Sequence, residues 1–285
     1  MESNLENLFQ KIEKYNFYKL SASGNDFIIF LNFDNLITHE EAKFLAQKLS
    51  RPKFSISADG FILLEKPSIP LASFSWKFFN SDGSEAEMCG NGARCVARLI
   101  EELGLFKSPF YFQTKAGLIY AEVKGKRVKV KLTNPKEFKK DLILKIDNQS
   151  VLAHYVNTGV PHVVIFWDNI DLAPVENFGS KIRYHEMFKP KGTNVNFIEL
   201  VKEEKYLKIR TYERGVEGET LACGTGAAAS AYIAYKFGLV GEKTNVITKG
   251  GEILTIYIDS LKEEIYLEGD TIFICEAKIK FDTLL

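Results

Sequence analysis

Two segments of this chain spell one pattern. Glu85-Ala-Glu-Met-Cys-Gly-Asn-Gly-Ala93 and Glu219-Thr-Leu-Ala-Cys-Gly-Thr-Gly-Ala227 both read E-x-x-x-C-G-x-G-A. Each is preceded by a strand-like run, Phe74 to Phe79 and Tyr206 to Tyr212. Each is followed by an alanine-rich, helix-like segment that stops at a glycine, Arg94 to Gly104 and Ala228 to Gly238. A weaker match lies upstream of each, Ser23-Gly-Asn-Asp-Phe-Ile-Ile-Phe30 against Thr158-Gly-Val-Pro-His-Val-Val-Ile-Phe166. Gly24 and Cys89 are 65 positions apart, and Gly159 and Cys223 are 64 apart. Unrelated loops would not keep that distance. Short solenoid repeats need at least three copies, so two long copies point to two similar lobes facing each other.

The rest of the pattern is strand-heavy. Apolar alternation runs through Leu118 to Leu132, Val163 to Phe166, Ile253 to Ile258 and Glu264 to Leu267. Three helical stretches stand out: Glu40 to Leu49 and the two behind the cysteine motifs. The expected fold class is therefore α+β. Two pseudo-symmetric lobes each wrap a mixed, mostly antiparallel sheet around a central helix. Thr133-Asn134-Pro135 punctuates the chain, which places the first lobe at residues 1–134 with a return of 270–285, and the second at 135–269.

Composition narrows the function. Lys plus Arg and Asp plus Glu both number 37 in 285 residues, so no basic excess points to nucleic acid or an anionic membrane. No apolar run approaches the ~20 residues that span a bilayer. The N-terminus lacks the apolar centre of a signal peptide. A cytoplasmic protein is expected. The four cysteines, Cys89, Cys95, Cys223 and Cys275, are too few for a disulfide scaffold and lack zinc-pair spacing. Thiol chemistry or plain burial remain. Cys95 and Cys275, without the glycine setting, read as core.

Cys-Gly-x-Gly at a helix start suits chemistry for physical reasons. The first N–H groups of a helix have no intrahelical partners, and with the helix dipole they make an anion site. A thiol placed there is expected to fall below its usual pKa of about 8.5. One such motif is compatible with a structural turn or a phosphate loop. Two, at matched spacing on facing lobes, put two sulfurs on either side of one carbon whose carboxylate sits on the converging N–H groups. One sulfur then removes a proton and the other returns one to the opposite face, while the N–H groups stabilise the charge that builds up.

At these residues the sequence resembles the diaminopimelate epimerase family. The matching segments are Ser23-Gly-Asn-Asp-Phe27, Ala58-Asp-Gly60, the block from Asn80 to Arg94 around Cys89, Pro161-His162, Asn194-Val-Asn-Phe197, Tyr212-Glu-Arg-Gly215 and Leu221-Ala-Cys-Gly-Thr-Gly226. The resemblance implies an isomerase with no cofactor, in particular no pyridoxal phosphate, and no metal. It implies interconversion of LL- and meso-2,6-diaminopimelate in lysine and peptidoglycan precursor synthesis. The partner is then a small-molecule substrate, and a homodimer is the oligomer the reading allows. Carried over by motif, Cys89 and Cys223 become the acid–base pair. The Gly90-Asn91 and Gly224-Thr225 backbone holds the reacting carboxylate, and Asn25 contacts the reacting end. Asn80, Asn194, Glu213 and Arg214 hold the far amino-acid head, and His162 and Glu213 influence the thiol pKa values.

Three positions depart from the family pattern. Val160 stands where Asn usually precedes Pro-His, with Asn157 close by. Gly60 stands where some members carry Gln. The loop Gly215 to Gly218 looks one residue longer. A proline or hydroxyproline racemase of the same fold would share the cysteines but not need the grip of Asn194 and Glu213-Arg214. A thiol redox or anion-binding protein would need no epimerase activity at all.

Overall fold

The computed structural model describes residues 2–285. It divides into two compact units, Met1–Val130 with Asp270–Leu285, and Lys131–Gly269. Each is a mixed sheet with helices packed against it.

The first unit opens with α1 (Glu2–Ile12), then a hairpin of β1 (Asn16–Ala22) and β2 (Asn25–Leu31). Helix α2 (His39–Leu49) follows, and its start is set by a capping box between Thr38 and Glu41. Strand β3 (Gly60–Glu65) runs parallel to β2, β4 (Ser75–Asn80) antiparallel to β3, and the short β5 (Glu85–Ala86) folds back on β4. Then comes α3 (Gly90–Glu102), followed by β6 (Phe110–Thr114), parallel to β4, and the meander β7 (Gly117–Lys124) and β8 (Arg127–Lys131). Helix α3 packs on β1, β2 and β7.

The second unit repeats this strand by strand. It contains β9 (Lys136–Ile146), β10 (Gln149–Asn157) and β11 (Pro161–Phe166), then α4 (Val175–Arg183). Strand β12 (Asn194–Val201) runs parallel to β11, β13 (Tyr206–Glu213) antiparallel to β12, and β14 (Gly218–Thr220) folds back on β13. Helix α5 (Gly224–Lys236) leads to β15 (Lys243–Ile247), parallel to β13, and then β16 (Ile253–Asp259) and β17 (Glu264–Asp270). Helix α5 packs on β10 to β13, β15 and β16. The last strand, β18 (Ile272–Lys278), pairs with β1, as β9 pairs with β10.

The α+β class and the doubled lobe are as the sequence led us to expect. Three details differ. Five α-helices occur among the described residues, because α1 and α4 join the three expected. The run from Leu118 to Leu132 is two strands, turned at Gly125 with φ +61°. Cys95 is fully buried in α3, but Cys275 is only half-buried, lying against the core from strand β18. Among the described residues no helix is long and apolar enough to cross a membrane.

Candidate active site

In the first unit Cys89 is the N-cap of α3, in an extended conformation (φ −139°, ψ 118°), and its sulfur accepts the Gly92 N–H at 3.4 Å. The helix begins at Gly90 itself, four residues earlier than the alanine-rich run suggested. The N–H groups of Gly90 and Asn91 therefore belong to the first turn, which carries no acidic residue. Asn91 is buried, and its Nδ2 donates to Asn25 Oδ1 at 2.7 Å. Asn25 in turn donates to Asp59 Oδ2 at 3.1 Å. The buried Arg94 reaches back to Asn91 Oδ1 at 3.1 Å and to Ser23 Oγ. Asn25 and Asn91 thus hold each other in place beside the cysteine. Asn80 is at the exposed end of β4, opposite Gly60, and donates to Ser84 Oγ at 3.0 Å.

Gly60 explains one departure from the family pattern. A Cβ at this position would stand 2.5 Å from Phe78 Cε2 and 3.2 Å from Phe27 Cδ1. The aromatic pair Phe27–Phe78 fills the space a longer side chain would need to leave the sheet.

In the second unit Cys223 N-caps α5 with nearly the same backbone (φ −127°, ψ 107°), and the helix starts at Gly224. Gly224 and Thr225 supply its first N–H groups, again with no acidic residue in the turn. The surroundings of this sulfur are different. Cys223 is buried, Thr225 Oγ1 lies 3.6 Å from its Sγ, and His162 Nε2 lies 2.9 Å from the same hydroxyl. Burial and the nearby Glu213 carboxylate push the Cys223 thiol up to about 12, against the pull of Thr225 and the backbone N–H groups of Thr225 and Gly226. This corrects the expectation of a lowered pKa. The helix N-terminus does stabilise thiolate, but here desolvation and a like charge outweigh it. His162 has no exposed surface, and burial, with the Arg214 charge, pushes it down to about 3, so it is neutral at physiological pH.

Glu213, at the end of β13, is itself raised by burial and accepts a hydrogen bond from Thr220 Oγ1 at 2.9 Å. Asn194 Oδ1 accepts the Arg214 backbone N–H at 2.8 Å and Asn194 Nδ2 donates to the Pro161 carbonyl at 2.9 Å. The Arg214 guanidinium donates to the Lys191 carbonyl at 3.3 Å. The second unit therefore gathers Cys223, Thr225, His162, Asn194, Glu213 and Arg214. The first gathers Cys89, Asn91 and Asn25, with Asn80 at the neighbouring strand end. Asn157 is not a free replacement for the Asn missing at Val160, because its Oδ1 accepts the Gly159 N–H at 3.0 Å. The longer loop closes on itself, with Glu217 Oε1 accepting the Gly215 N–H and pairing with Arg183, both at 3.0 Å.

Two residues of this cluster were not singled out from sequence, Asn196 and Thr211. Both are buried, and Thr211 Oγ1 donates to Asn196 Oδ1 at 3.0 Å. The available signal was period two, since Asn194 and Asn196 share one face of β12. Among the described residues no group of three or more His, Cys, Asp or Glu side chains is placed to hold a metal ion.

Comparison with known proteins agrees with the doubled architecture. The family model described as diaminopimelate epimerase matches twice, at residues 17–137 and 154–274. The diaminopimelate epimerase of Aquifex aeolicus (strain VF5) is 43% identical over 281 residues, covering 94% of this chain and 99% of that protein. That of Hydrogenobaculum sp. (strain Y04AAS1) is 46% identical over 274 residues, covering 93% and 98%. Among solved structures, a phenazine biosynthesis protein of the PhzF family from Bacillus anthracis superposes with a TM-score of 0.70 at 19% identity, covering 93% of this chain and 99% of that one, which shows a shared fold. With the family model matching both halves and relatives of this identity matching along nearly the whole length, the chain belongs to the diaminopimelate epimerase family.

Proposed function

We propose that the chain is a diaminopimelate epimerase that interconverts LL- and meso-2,6-diaminopimelate, an isomerisation that supplies precursors of lysine and peptidoglycan. The observation that carries this is the repeated placement of a cysteine as N-cap of a glycine-led helix, once in each unit. The thiolate of one cysteine, Cys89 or Cys223, takes the α-proton and becomes a thiol. The electron pair left on carbon delocalises into the carboxylate, which the Gly90-Asn91 and Gly224-Thr225 N–H groups stabilise. The other thiol gives its proton to the opposite face and becomes a thiolate. Atoms and charge balance without any electron acceptor, so the reaction as written calls for no cofactor. The roles of the two sulfurs are exchanged after each turnover.

The remaining residues divide between the two ends of the substrate. Asn25 meets the reacting end. Asn80, Asn194, Glu213 and Arg214 meet the distal amino-acid head, where guanidinium suits carboxylate and Glu213 balances an ammonium. His162 and Glu213 act on the Cys223 sulfur. The same reading carries a cytoplasmic location and a homodimer, the latter checked by light scattering. The decisive assay incubates purified protein with LL-diaminopimelate in deuterium oxide without additions. Formation of the meso isomer with deuterium at one α-carbon supports the proposal. Equal turnover of proline, or none of either, sinks it.

A further inference from the structure

The two units can be aligned residue by residue through their strand registers. In the first, Phe27 pairs with Gly60 and Ile62 with Phe78. In the second, His162 pairs with Asn194 and Asn196 with Thr211. Phe27, Ile62 and Phe78 therefore correspond to His162, Asn196 and Thr211, and all six are buried. Both sets lie beneath the start of the cysteine helix. A Cβ on Gly92 would meet Ile62 Cδ1 at 3.2 Å and Phe27 Cε1 at 3.5 Å, and one on Gly226 would meet Asn196 Oδ1 at 2.3 Å. The floor under Cys89 is hydrocarbon and the floor under Cys223 is a hydrogen-bonded polar cluster. The apolar version shows that this fold does not need buried polar groups here, and such groups are costly unless every one is satisfied.

The hydrogen bonds of the polar floor run in one direction only. Asn196 Nδ2 donates to the Val163 carbonyl at 2.8 Å, which fixes that atom as the amide nitrogen. Its Oδ1 accepts from Thr211. The second Nδ2 hydrogen faces His162 Nδ1 at 3.1 Å, so that ring nitrogen must accept. A neutral His162 then carries its proton on Nε2 and donates to Thr225 Oγ1. The threonine hydroxyl keeps its hydrogen and one lone pair. It can donate to Cys223 Sγ when the sulfur is a thiolate and accept from it when it is a thiol.

We infer that Asn196 and Thr211 are positioning residues that lock His162 in the neutral Nε2–H form, so that Thr225 serves as a hydrogen-bond partner able to follow the proton on Cys223. His162 is then not a base in proton transfer. The corresponding positions in the first unit are Phe27, Ile62 and Phe78, whose side chains carry no hydrogen-bonding group. The charged groups bearing on this relay are Glu213, whose carboxylate raises the Cys223 thiol, and Arg214, whose charge holds His162 down. Its use in catalysis rests on the epimerase reading, but the test needs no turnover and so fails or succeeds separately.

The test follows two signals in the substrate-free full chain. One is the ring-nitrogen chemical shifts of ¹⁵N-labelled His162. The other is the pH profile of iodoacetamide alkylation at Cys223, read by peptide mass spectrometry with Cys89 as internal control. Wild type should show Nε2 protonated and Nδ1 bare from pH 6 to 8. Asn196→Leu should mix the tautomers and slow Cys223 alkylation at pH 8 by roughly tenfold, the loss of one hydrogen bond to a charged sulfur. Cys89 should react as before. Thr225→Val should slow Cys223 to a similar extent while leaving the His162 tautomer unchanged, and Thr225→Ser should restore it. The Thr225 variants carry the test if Asn196→Leu does not fold. A proton on Nδ1 in wild type, an unaltered Cys223 profile in Thr225→Val, or equal slowing at Cys89 would overturn the inference.

Discussion

Asn194 carries the backbone of Arg214. Its Oδ1 accepts the Arg214 N–H at 2.8 Å while its Nδ2 is anchored on the Pro161 carbonyl at 2.9 Å. Both bonds are to main chain, and the side chain is almost fully buried. Asn194→Ala should therefore weaken substrate binding partly by releasing Arg214, and should cost about 1–3 kcal/mol of stability through the unpaired N–H and carbonyl. Arg214→Ala should raise KM with little loss of stability. The double variant should raise KM by less than the product of the single effects, because the two act through one grip. Independent, multiplying effects would show that Asn194 meets substrate on its own.

Glu213 and Cys223 oppose each other electrostatically. The carboxylate helps hold the Cys223 thiol up at about 12. Glu213→Gln should lower that pKa and so speed alkylation of Cys223 at pH 8, while raising KM by removing the partner of a substrate ammonium. The two effects have opposite signs for reactivity and binding. An unchanged Cys223 rate in this variant would mean that burial alone sets its titration.

The fold and much of the candidate site are legible in the sequence, for identifiable reasons. Helix-start turns around Cys89 and Cys223 constrain sequence tightly, so the duplication survives there as identical letters. Helix α2 shows its capping box in Thr38 and Glu41. By contrast α4 hides behind an interior Gly179, which reads as a breaker but is needed where a Cβ would stand 2.5 Å from Tyr212 Cβ. The thiol pKa was misread because a helix N-terminus is visible in sequence, whereas the burial of Cys223 and the approach of Glu213 are not. Asn196 and Thr211 were missed because only the register of β11, β12 and β13 brings them under one sulfur.

The cysteines are not interchangeable with serines. Serine is too weak an acid to serve as a thiolate equivalent near neutral pH, so Cys89→Ser and Cys223→Ser should each lower kcat by roughly 100- to 10,000-fold, the usual worth of a positioned acid or base. KM should change little. The double variant should be no more than slightly worse than either single one, since one missing partner already breaks the proton path. Near-normal activity in either single variant would remove that cysteine from the mechanism.

His162 ties stability to pH in a direction that can be worked out. Its pKa falls from 6.5 to about 3 on folding, so between those values the unfolded chain binds more protons than the folded one. Stability rises with pH wherever that holds. The contribution is therefore complete above about pH 6.5 and is progressively lost as pH falls towards 3. At pH 5 the unfolded imidazole is largely protonated, and the linkage costs about 2 kcal/mol relative to pH 7. His154, also held down by burial between Phe166 and Phe237, adds in the same direction. Denaturation by urea at pH 7 and pH 5 should show the loss in wild type. His162→Gln, which can still accept from Asn196 and donate to Thr225, should lose less over the same interval while His154 still contributes. The same pH-dependent loss in wild type and His162→Gln would mean that His162 takes up its proton in the folded protein.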